Sequence, residues 1–190
     1  MTFAGIVITI PAVFSLPTPV AVSIGSLPAG MAGTRITVQK MVAMIRTAIT
    51  SATVRTVALA IAQRSPERDA AAQAAAIFAW VQDHYRFRRD PVGVESLSRP
   101  EYMLRQIFAT GYAYGDCDDV TMLICALAGA LGIPSRVRII KFKGYSSFSH
   151  VVAALQTMPG YFEEFDGTKR AGMVSSLPVV ERSETATIIP

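Results

Sequence analysis

The sequence predicts an α+β fold, because helical patterns come first along the chain and strand patterns follow. Apolar residues recur at helical spacing between residues 35 and 84, and alternating apolar residues follow Pro134. The apolar run 117–131 lies between the two parts and ends at Gly132, which is typical of a helix stop. We expect N-terminal helices and this central, cysteine-bearing helix to pack on an antiparallel sheet.

The composition is that of one compact domain with a buried core. The 190 residues are 51% hydrophobic and 17% charged, which excludes a disordered chain. A formal net charge of +4 is too small to indicate nucleic-acid binding, so no nucleic-acid partner is expected. Cys117 and Cys125 lie about two turns apart in one predicted helix, where they cannot form a disulfide. No CxxC or HxxxH spacing occurs, so we expect no metal site and no cofactor.

The first 34 residues are predicted to form an extended arm, ahead of a domain over residues 35–190. Residues 1–34 have no charged side chain and contain four prolines. A secretory signal would begin with positive charge, and a membrane span needs about 20 unbroken apolar residues, so neither is expected. Alternation at residues 6–10 and 20–24 predicts two short strands. Such an arm either adds to the sheet of its own domain or docks on another protein.

Capping and breaking residues divide the helical part of the chain. Ser51 is a candidate cap after a break near Thr50, and Pro66 is favoured at the first position of a helix. Ser98 and Glu101 have the spacing of a capping box. The helices expected before the central one cover residues 35–50, 51–63, 66–84 and 98–108.

Alternating apolar residues predict the sheet in the last third of the chain. Short connections join the expected strands, which favours an antiparallel meander. A final stretch with weak strand character is expected to be an edge strand or a tail. The expected strands are 135–142, 150–156 and 161–165, with the weak stretch at 177–180.

The most informative stretch for function is Gly115-Asp116-Cys117-Asp118-Asp119, at the start of the central helix. A helix N-terminus favours negative charge, and the thiolate is the reactive form of cysteine, so Cys117 is a candidate nucleophile. His150 and Asp166 follow at or near the ends of predicted strands, in the order of a base and an orienting acid. The alternative is that Cys117 is a buried structural cysteine.

Three carboxylates bracket this thiol. By themselves Asp116, Asp118 and Asp119 would raise the thiol pKa, which opposes activation. We interpret Asp116 as the N-cap residue, with the other two complementing the helix dipole. A metal site built from an aspartate, Cys117 and His150 is the less favoured alternative.

Together these motifs resemble the transglutaminase-like superfamily, a circularly rearranged relative of papain-type folds. The resemblance covers about residues 35–168. It rests on Gly-Asp-Cys-Asp-Asp, on a helix that ends Ala-Leu-Gly-Ile-Pro-Ser-Arg-Val-Arg, on a strand histidine and on Phe-Asp-Gly-Thr. The segments 77–81 and 89–95 are similar to the phage-encoded branch of that superfamily.

The resemblance implies a Cys-His-Asp triad in that chain order. Cys117 would be the nucleophile, His150 the base and ion-pair partner, and Asp166 the residue that fixes the imidazole. The Cys117 backbone N–H would form part of the oxyanion hole. A second donor would come from the preceding loop, at Tyr112 or Tyr114.

The motifs and the resemblance together lead us to expect one of two functions. The first is thiol acyl transfer on a peptide or protein substrate, by a cysteine peptidase, an amidase or a cross-linking enzyme. The second is a virion structural or assembly protein that keeps the fold with little or no catalysis, its arm contacting neighbouring phage subunits. Either function places the protein in the host cytoplasm or the phage particle, not among proteins secreted by a signal peptide.

Overall fold

Five helices and eight strands make up the part of the chain that the computed structural model describes, residues 22–24, 28, 30–91, 94–168 and 180–189. The α+β prediction is confirmed. In chain order the elements are β1 (Val22–Ile24), α1 (Met31–Ile49), α2 (Ala52–Ala62), α3 (Ala70–His84), β2 (Tyr85–Phe87), β3 (Glu95–Leu97), α4 (Pro100–Thr110), β4 (Ala113–Gly115), α5 (Cys117–Ala130), β5 (Ser135–Phe142), β6 (His150–Met158), β7 (Tyr161–Phe165) and β8 (Val180–Ile189).

The main sheet has four antiparallel strands in the order β7-β6-β5-β8. The predicted meander of three strands is confirmed. An edge strand was expected at residues 177–180, but β8 begins at Val180 and runs to Ile189. Its polar sequence carries a weak local signal, and its pairing along the whole of β5 supplies the stabilisation that the local sequence lacks.

Helix α5 is the centre of the core. Every residue from Asp119 to Gly129 is buried, because α1, α2 and α3 contact the helix on one side and β6 contacts it on the other. A helix enclosed in this way shows no amphipathic stripe, which explains its continuous apolar run. Any residue at its first turn is therefore held by a rigid, buried element.

The start of α1 differs from the boundary predicted from charge. The helix begins at Met31, four residues before Arg35 (35 − 31 = 4), because uncharged residues can form its first turn as well. The predicted break near Thr50 is confirmed between α1 and α2, although Ser51 makes no side-chain capping bond within the described residues. In the described part of the chain no helix alone is long and apolar enough to cross a membrane, and α1 with α2 meets that criterion only as a pair bent by 76°.

The predicted start of α3 at Pro66 is wrong. The side chain of Asp69 accepts a hydrogen bond from the Ala72 N–H and caps the helix there. Arg68, with a φ of 59°, lies in the left-handed region and interrupts any helix that would start at Pro66. A capping carboxylate thus outweighs the preference of proline for a first helical turn.

The predicted capping box of α4 is also wrong. The helix begins at Pro100 with Arg99 at the N-cap position, and no side chain among the described residues caps it. The Ser98 N–H instead donates to Asp119 Oδ1 at 2.6 Å. This segment therefore ties α4 to the first turn of α5.

The arm contributes strand β1, which pairs antiparallel with β3 in a separate two-stranded sheet. Of the two alternatives left open for the arm, residues 22–24 pair within their own chain, and their partner is β3 and not the main sheet. The other predicted strand, at residues 6–10, lies outside the described residues. Strands β2 and β4 form a parallel pair that leads into α5.

Candidate active site

Cys117 is the first residue of α5, and a capping network fixes its position. The Asp116 side chain at the N-cap accepts the Asp118 N–H at 3.2 Å. Asp119 Oδ2 accepts the Asp116 N–H at 3.3 Å, which completes a capping box. The interpretation of Asp116 as the helix cap is confirmed.

Asp119 and Tyr85 hold the loop that precedes the thiol. Asp119 is 2% exposed. Its two carboxylate oxygens accept hydrogen bonds from the Ser98 N–H and the Asp116 N–H. The Tyr85 hydroxyl lies 2.7 Å from the Gly115 carbonyl and 2.8 Å from the Asp116 carbonyl, and donates to this pair. A Cβ on Gly115 would lie 2.2 Å from Asp119 Oδ2, so a glycine is required at this close approach. Sequence reasoning missed Tyr85, since nothing near it in the sequence indicates this contact.

Neighbouring strands bring His150 and Asp166 together. His150 begins β6, Asp166 directly follows β7, and His150 Nε2 lies 2.9 Å from Asp166 Oδ2. Thr168 donates its N–H and its hydroxyl to Asp166 Oδ1 at 3.1 and 2.7 Å. Burial acts to raise the pKa of Asp166, but hydrogen bonds from His150 and Thr168 outweigh it and hold that pKa below its usual range. The imidazole also stacks on Phe142, with ring centroids 5.8 Å apart.

Gly167 fixes the acid against the helix that carries Cys117. A Cβ at this position would lie 2.3 Å from Val120 Cγ2, so the loop packs directly on α5. Gln82 Nε2 donates to the Gly167 carbonyl at 3.0 Å and holds the loop from α3. The loop that carries Asp166 is therefore fixed in position relative to α5, the helix that carries Cys117.

A cavity of about 380 Å³ contains both the thiol and the imidazole. Cys117 and His150 line it, and the first turns of α1 form one of its walls. The Val151 N–H donates to the Cys117 sulfur, so the nucleophile lies beside the residue that follows His150. Asp166 lies behind the imidazole through its bond to Nε2.

The thiol is held in its neutral form. Burial raises the pKa of Cys117, and the charges of Asp118 and Asp116 raise it further. The thiol itself donates to Asp118 Oδ1 at 3.4 Å. The helix dipole at this N-terminus favours a thiolate, but desolvation and the two carboxylates outweigh it.

The carboxyl groups around the thiol are themselves shifted toward their protonated forms. Burial raises the pKa of Asp116 to about 6 and that of Asp119 to about 7. Burial, the charge of Asp116 and a hydrogen bond with Glu95 raise the pKa of Asp118 well above its usual range. At neutral pH Asp116 is still mostly ionised and Asp119 is about half ionised, so part of the negative charge that opposes a thiolate remains.

One set of groups has the spacing of a metal site. The ligating atoms of Asp116, Cys117 and Asp118 lie within 4.8 Å of one another, and within the described residues His150 does not join this set. The arrangement of these groups is accounted for by the capping bonds of Asp116 and by the hydrogen bond from the Cys117 thiol to Asp118.

The two predicted cleft tyrosines lie on the surface. Tyr112 is 40% exposed beneath Arg86, whose Cζ is 3.9 Å from the ring centroid. Tyr114 is 42% exposed beneath Arg88 at 5.4 Å. Among the described residues that line the cavity neither tyrosine occurs, so their position gives the predicted oxyanion role no support.

The comparison with protein families agrees with this architecture. A model of the transglutaminase-like superfamily core matches residues 57–162, more than half of the chain. This chain belongs to the transglutaminase-like superfamily. The matched segment contains Cys117 and His150, and Asp166 lies four residues beyond it (166 − 162 = 4).

Among solved structures, this superfamily member is similar to a putative protease from Parabacteroides distasonis. The two are 14% identical with a TM-score of 0.45, over 66% of this chain and 26% of that chain. This chain thus spans about a quarter of the length of that protein. No curated protein sequence matches it. The predicted superfamily is confirmed, and the phage-encoded branch stays a prediction.

Proposed function

We propose that this protein catalyses thiol-dependent acyl transfer on an amide bond, with Cys117 as nucleophile, His150 as base and Asp166 as the orienting acid. One observation carries the proposal. Cys117 and His150 line the same cavity, while the imidazole is bonded at 2.9 Å to Asp166. Membership of the transglutaminase-like superfamily supports the same chemistry.

In this proposal each nitrogen of the His150 ring has a separate role. Nε2 is engaged by Asp166, so Nδ1 is the nitrogen that takes the thiol proton. The sulfur attacks the carbonyl carbon, an S–C bond forms, and the proton passes to the imidazole. The imidazolium then protonates the leaving amine as the C–N bond breaks, which leaves a thioester on Cys117. Water releases an acid and gives a peptidase, whereas a second amine gives a cross-link.

The raised thiol pKa decides when the proton moves. A neutral Cys117 does not form a stable thiolate–imidazolium pair before substrate arrives, so proton transfer accompanies the attack on the carbonyl. The Cys117 backbone N–H, at the start of α5, is the proposed donor to the developing oxyanion. The proposal thus depends on His150 as a general base and not on a preformed thiolate.

The proposal is tested with p-nitrophenyl acetate as a simple acyl donor. The wild-type protein is expected to release p-nitrophenolate in a burst and to carry an acetyl thioester on Cys117, located by peptide mass spectrometry. Cys117→Ala and His150→Ala should both lose the burst. Cys125→Ala is the matched control, because Cys125 is fully buried in the core and should leave the burst intact.

A burst that survives in Cys117→Ala, or acetylation shared equally between the two cysteines, would contradict the proposal. Competition by a diamine for the thioester then separates the two fates. Formation of an acetylated amine identifies a cross-linker, and formation of acetate alone identifies a hydrolase. The alternative of a virion assembly protein stays a prediction.

A further inference from the structure

Strand β1 occupies an edge that leads directly to the cavity. It pairs with β3 in the register Val22↔Leu97, Ser23↔Ser96 and Ile24↔Glu95. Glu95, at the end of that ladder, is also a lining residue of the cavity, and so is Pro28 farther along the chain. The ladder and the proposed active site are therefore continuous.

The backbone of β3 has one anchored side and one pairing side. The Ser96 N–H donates to Asp90 Oδ2 at 2.5 Å, and the Ser98 N–H donates to Asp119 Oδ1 at 2.6 Å. Successive N–H groups of a strand point in opposite directions, so those of Glu95 and Leu97 point toward β1. Carboxylates thus fix one side of β3, and a ladder of three residues covers the other.

The pairing side is also connected to the nucleophile. Glu95 is hydrogen-bonded to Asp118 through their side chains, and Asp118 accepts a hydrogen bond from the Cys117 thiol. A chain that pairs with β3 in the direction of β1 reaches Glu95, which lines the same cavity as Cys117. It would bring its residues beyond the paired segment alongside Cys117.

We propose that the pairing side of β3 is the docking edge for an extended peptide of a second polypeptide, and that β1 occupies this edge in cis. The proposal rests on the proposed function, because the docked peptide is the acyl donor or acceptor of Cys117. Addition of a strand to an exposed edge supplies backbone hydrogen bonds without requiring a particular sequence. A three-residue ladder is short, so β1 can exchange with a longer peptide.

The register supplies a matched pair of variants. The Ile24 N–H faces β3, since Ile24 lies opposite Glu95, whereas the Ser23 N–H faces away from it. Ile24→Pro removes a ladder donor, and Ser23→Pro introduces the same ring without removing one. Both are made in the full-length chain that carries Cys117→Ser, so no chemistry consumes the probe.

The probe is a fluorescein-labelled synthetic peptide with the sequence of residues 20–28, and its binding is followed by fluorescence anisotropy. Ile24→Pro is expected to bind it at least about tenfold more tightly than Ser23→Pro and the parent, because β1 competes from a high effective concentration. Equal affinity in the three proteins, or no binding to Ile24→Pro, would overturn the proposal.

Amide hydrogen exchange gives an independent readout of the same edge. The Glu95 and Leu97 amides should lose protection in Ile24→Pro and regain it when peptide binds, while the Ser96 and Ser98 amides serve as internal controls. Restored protection without change at the controls supports docking on β3, and binding that leaves both amides unprotected would place the peptide elsewhere and overturn it. Neither measurement needs catalysis, so loss of the p-nitrophenolate burst would contradict the proposed function without affecting these results.

Discussion

Compared with the His150–Asp166 pair, the segment around Cys117 is set first by a local capping box, to which Tyr85 and Ser98 add contacts from distant segments. Asp116, Cys117 and Asp119 are held by a capping box within one helical turn, whereas His150 and Asp166 meet because β6 and β7 pair. The thiol of Cys117 is thus positioned by a helix end, and the imidazole of His150 by a sheet. Gly167 packs on Val120 and so fixes the loop that carries Asp166 against the helix that carries Cys117.

The two regions also differ in how they hold protons. Around Cys117, burial raises the pKa of the thiol and of the neighbouring carboxyl groups, so protons are retained. At the other side hydrogen bonds keep Asp166 ionised against the effect of burial. The difference supports the proposal that the resting site holds its proton on the thiol and keeps a charged acid behind the imidazole.

The largest expected effect is a loss of activity on substitution of Asp166, in the region that the sheet positions. Asp166→Asn should lower kcat/KM for p-nitrophenyl acetate by about 100-fold or more, because an amide cannot stabilise the imidazolium that forms during attack. Glu163→Gln, on the exposed part of β7, is the matched control and should retain the wild-type rate. If both variants kept full activity, His150 would not depend on Asp166 and the contrast between the two regions would fail.

The next effect is on the helix side. Asp118→Asn removes a carboxylate beside the thiol, so the pH midpoint of Cys117 alkylation by iodoacetamide should fall by about one unit. The rate is followed by peptide mass spectrometry between about pH 6 and pH 10. Asp83→Asn, an exposed substitution on α3, is the control. An unchanged midpoint in Asp118→Asn would show that Asp118 contributes nothing, and that burial and Asp116 hold the thiol neutral.

The same contrast explains what the sequence predicts well. The beginning and end of helix α5 can be predicted from neighbouring residues, because Asp116 and Asp119 form its capping box and Gly132 follows its last turn. The meander can be predicted for a similar reason, since apolar residues alternate along its strands and the connections between the strands are short. Cys117, His150 and Asp166 were predicted from residue type, order and resemblance, and the structure brings all three to one site.

Contacts between distant segments could not be predicted. The Tyr85 hydroxyl reaches Gly115 across 30 residues, and β1 pairs with β3 more than 70 residues away (95 − 24 = 71). Neither segment carries a pattern that specifies its partner. For the thiol pKa, the sequence indicated the effect of the flanking carboxylates but not the larger effect of burial, which depends on how deeply the start of α5 is enclosed.

The smallest expected effect is on the free energy of unfolding. Its dependence on pH has opposite signs in the two regions. Burial raises the Asp116 pKa to about 6, so the native state binds this proton more tightly than the unfolded state. Its contribution to the free energy of unfolding is complete below about pH 4 and is lost as the pH rises through about 6. Asp166 has the opposite sign, since its lowered pKa contributes stability that is lost only as the pH falls through that value.

Asp116→Asn isolates the helix-side contribution, because asparagine caps a helix as well as aspartate and does not titrate. Between about pH 4 and pH 7, the variant should gain about 1 kcal/mol in unfolding free energy relative to wild type, measured by urea denaturation at both pH values. This is less than the full pKa shift would give, because Asp116 is only half-buried and solvent screens its charge. Equal m values would show that both proteins unfold to comparable states. A difference between variant and wild type that stays constant with pH would mean that Asp116 titrates alike in the native and unfolded states, and the proton-retaining character of the Cys117 side would then have to come from Asp118 and Asp119 alone.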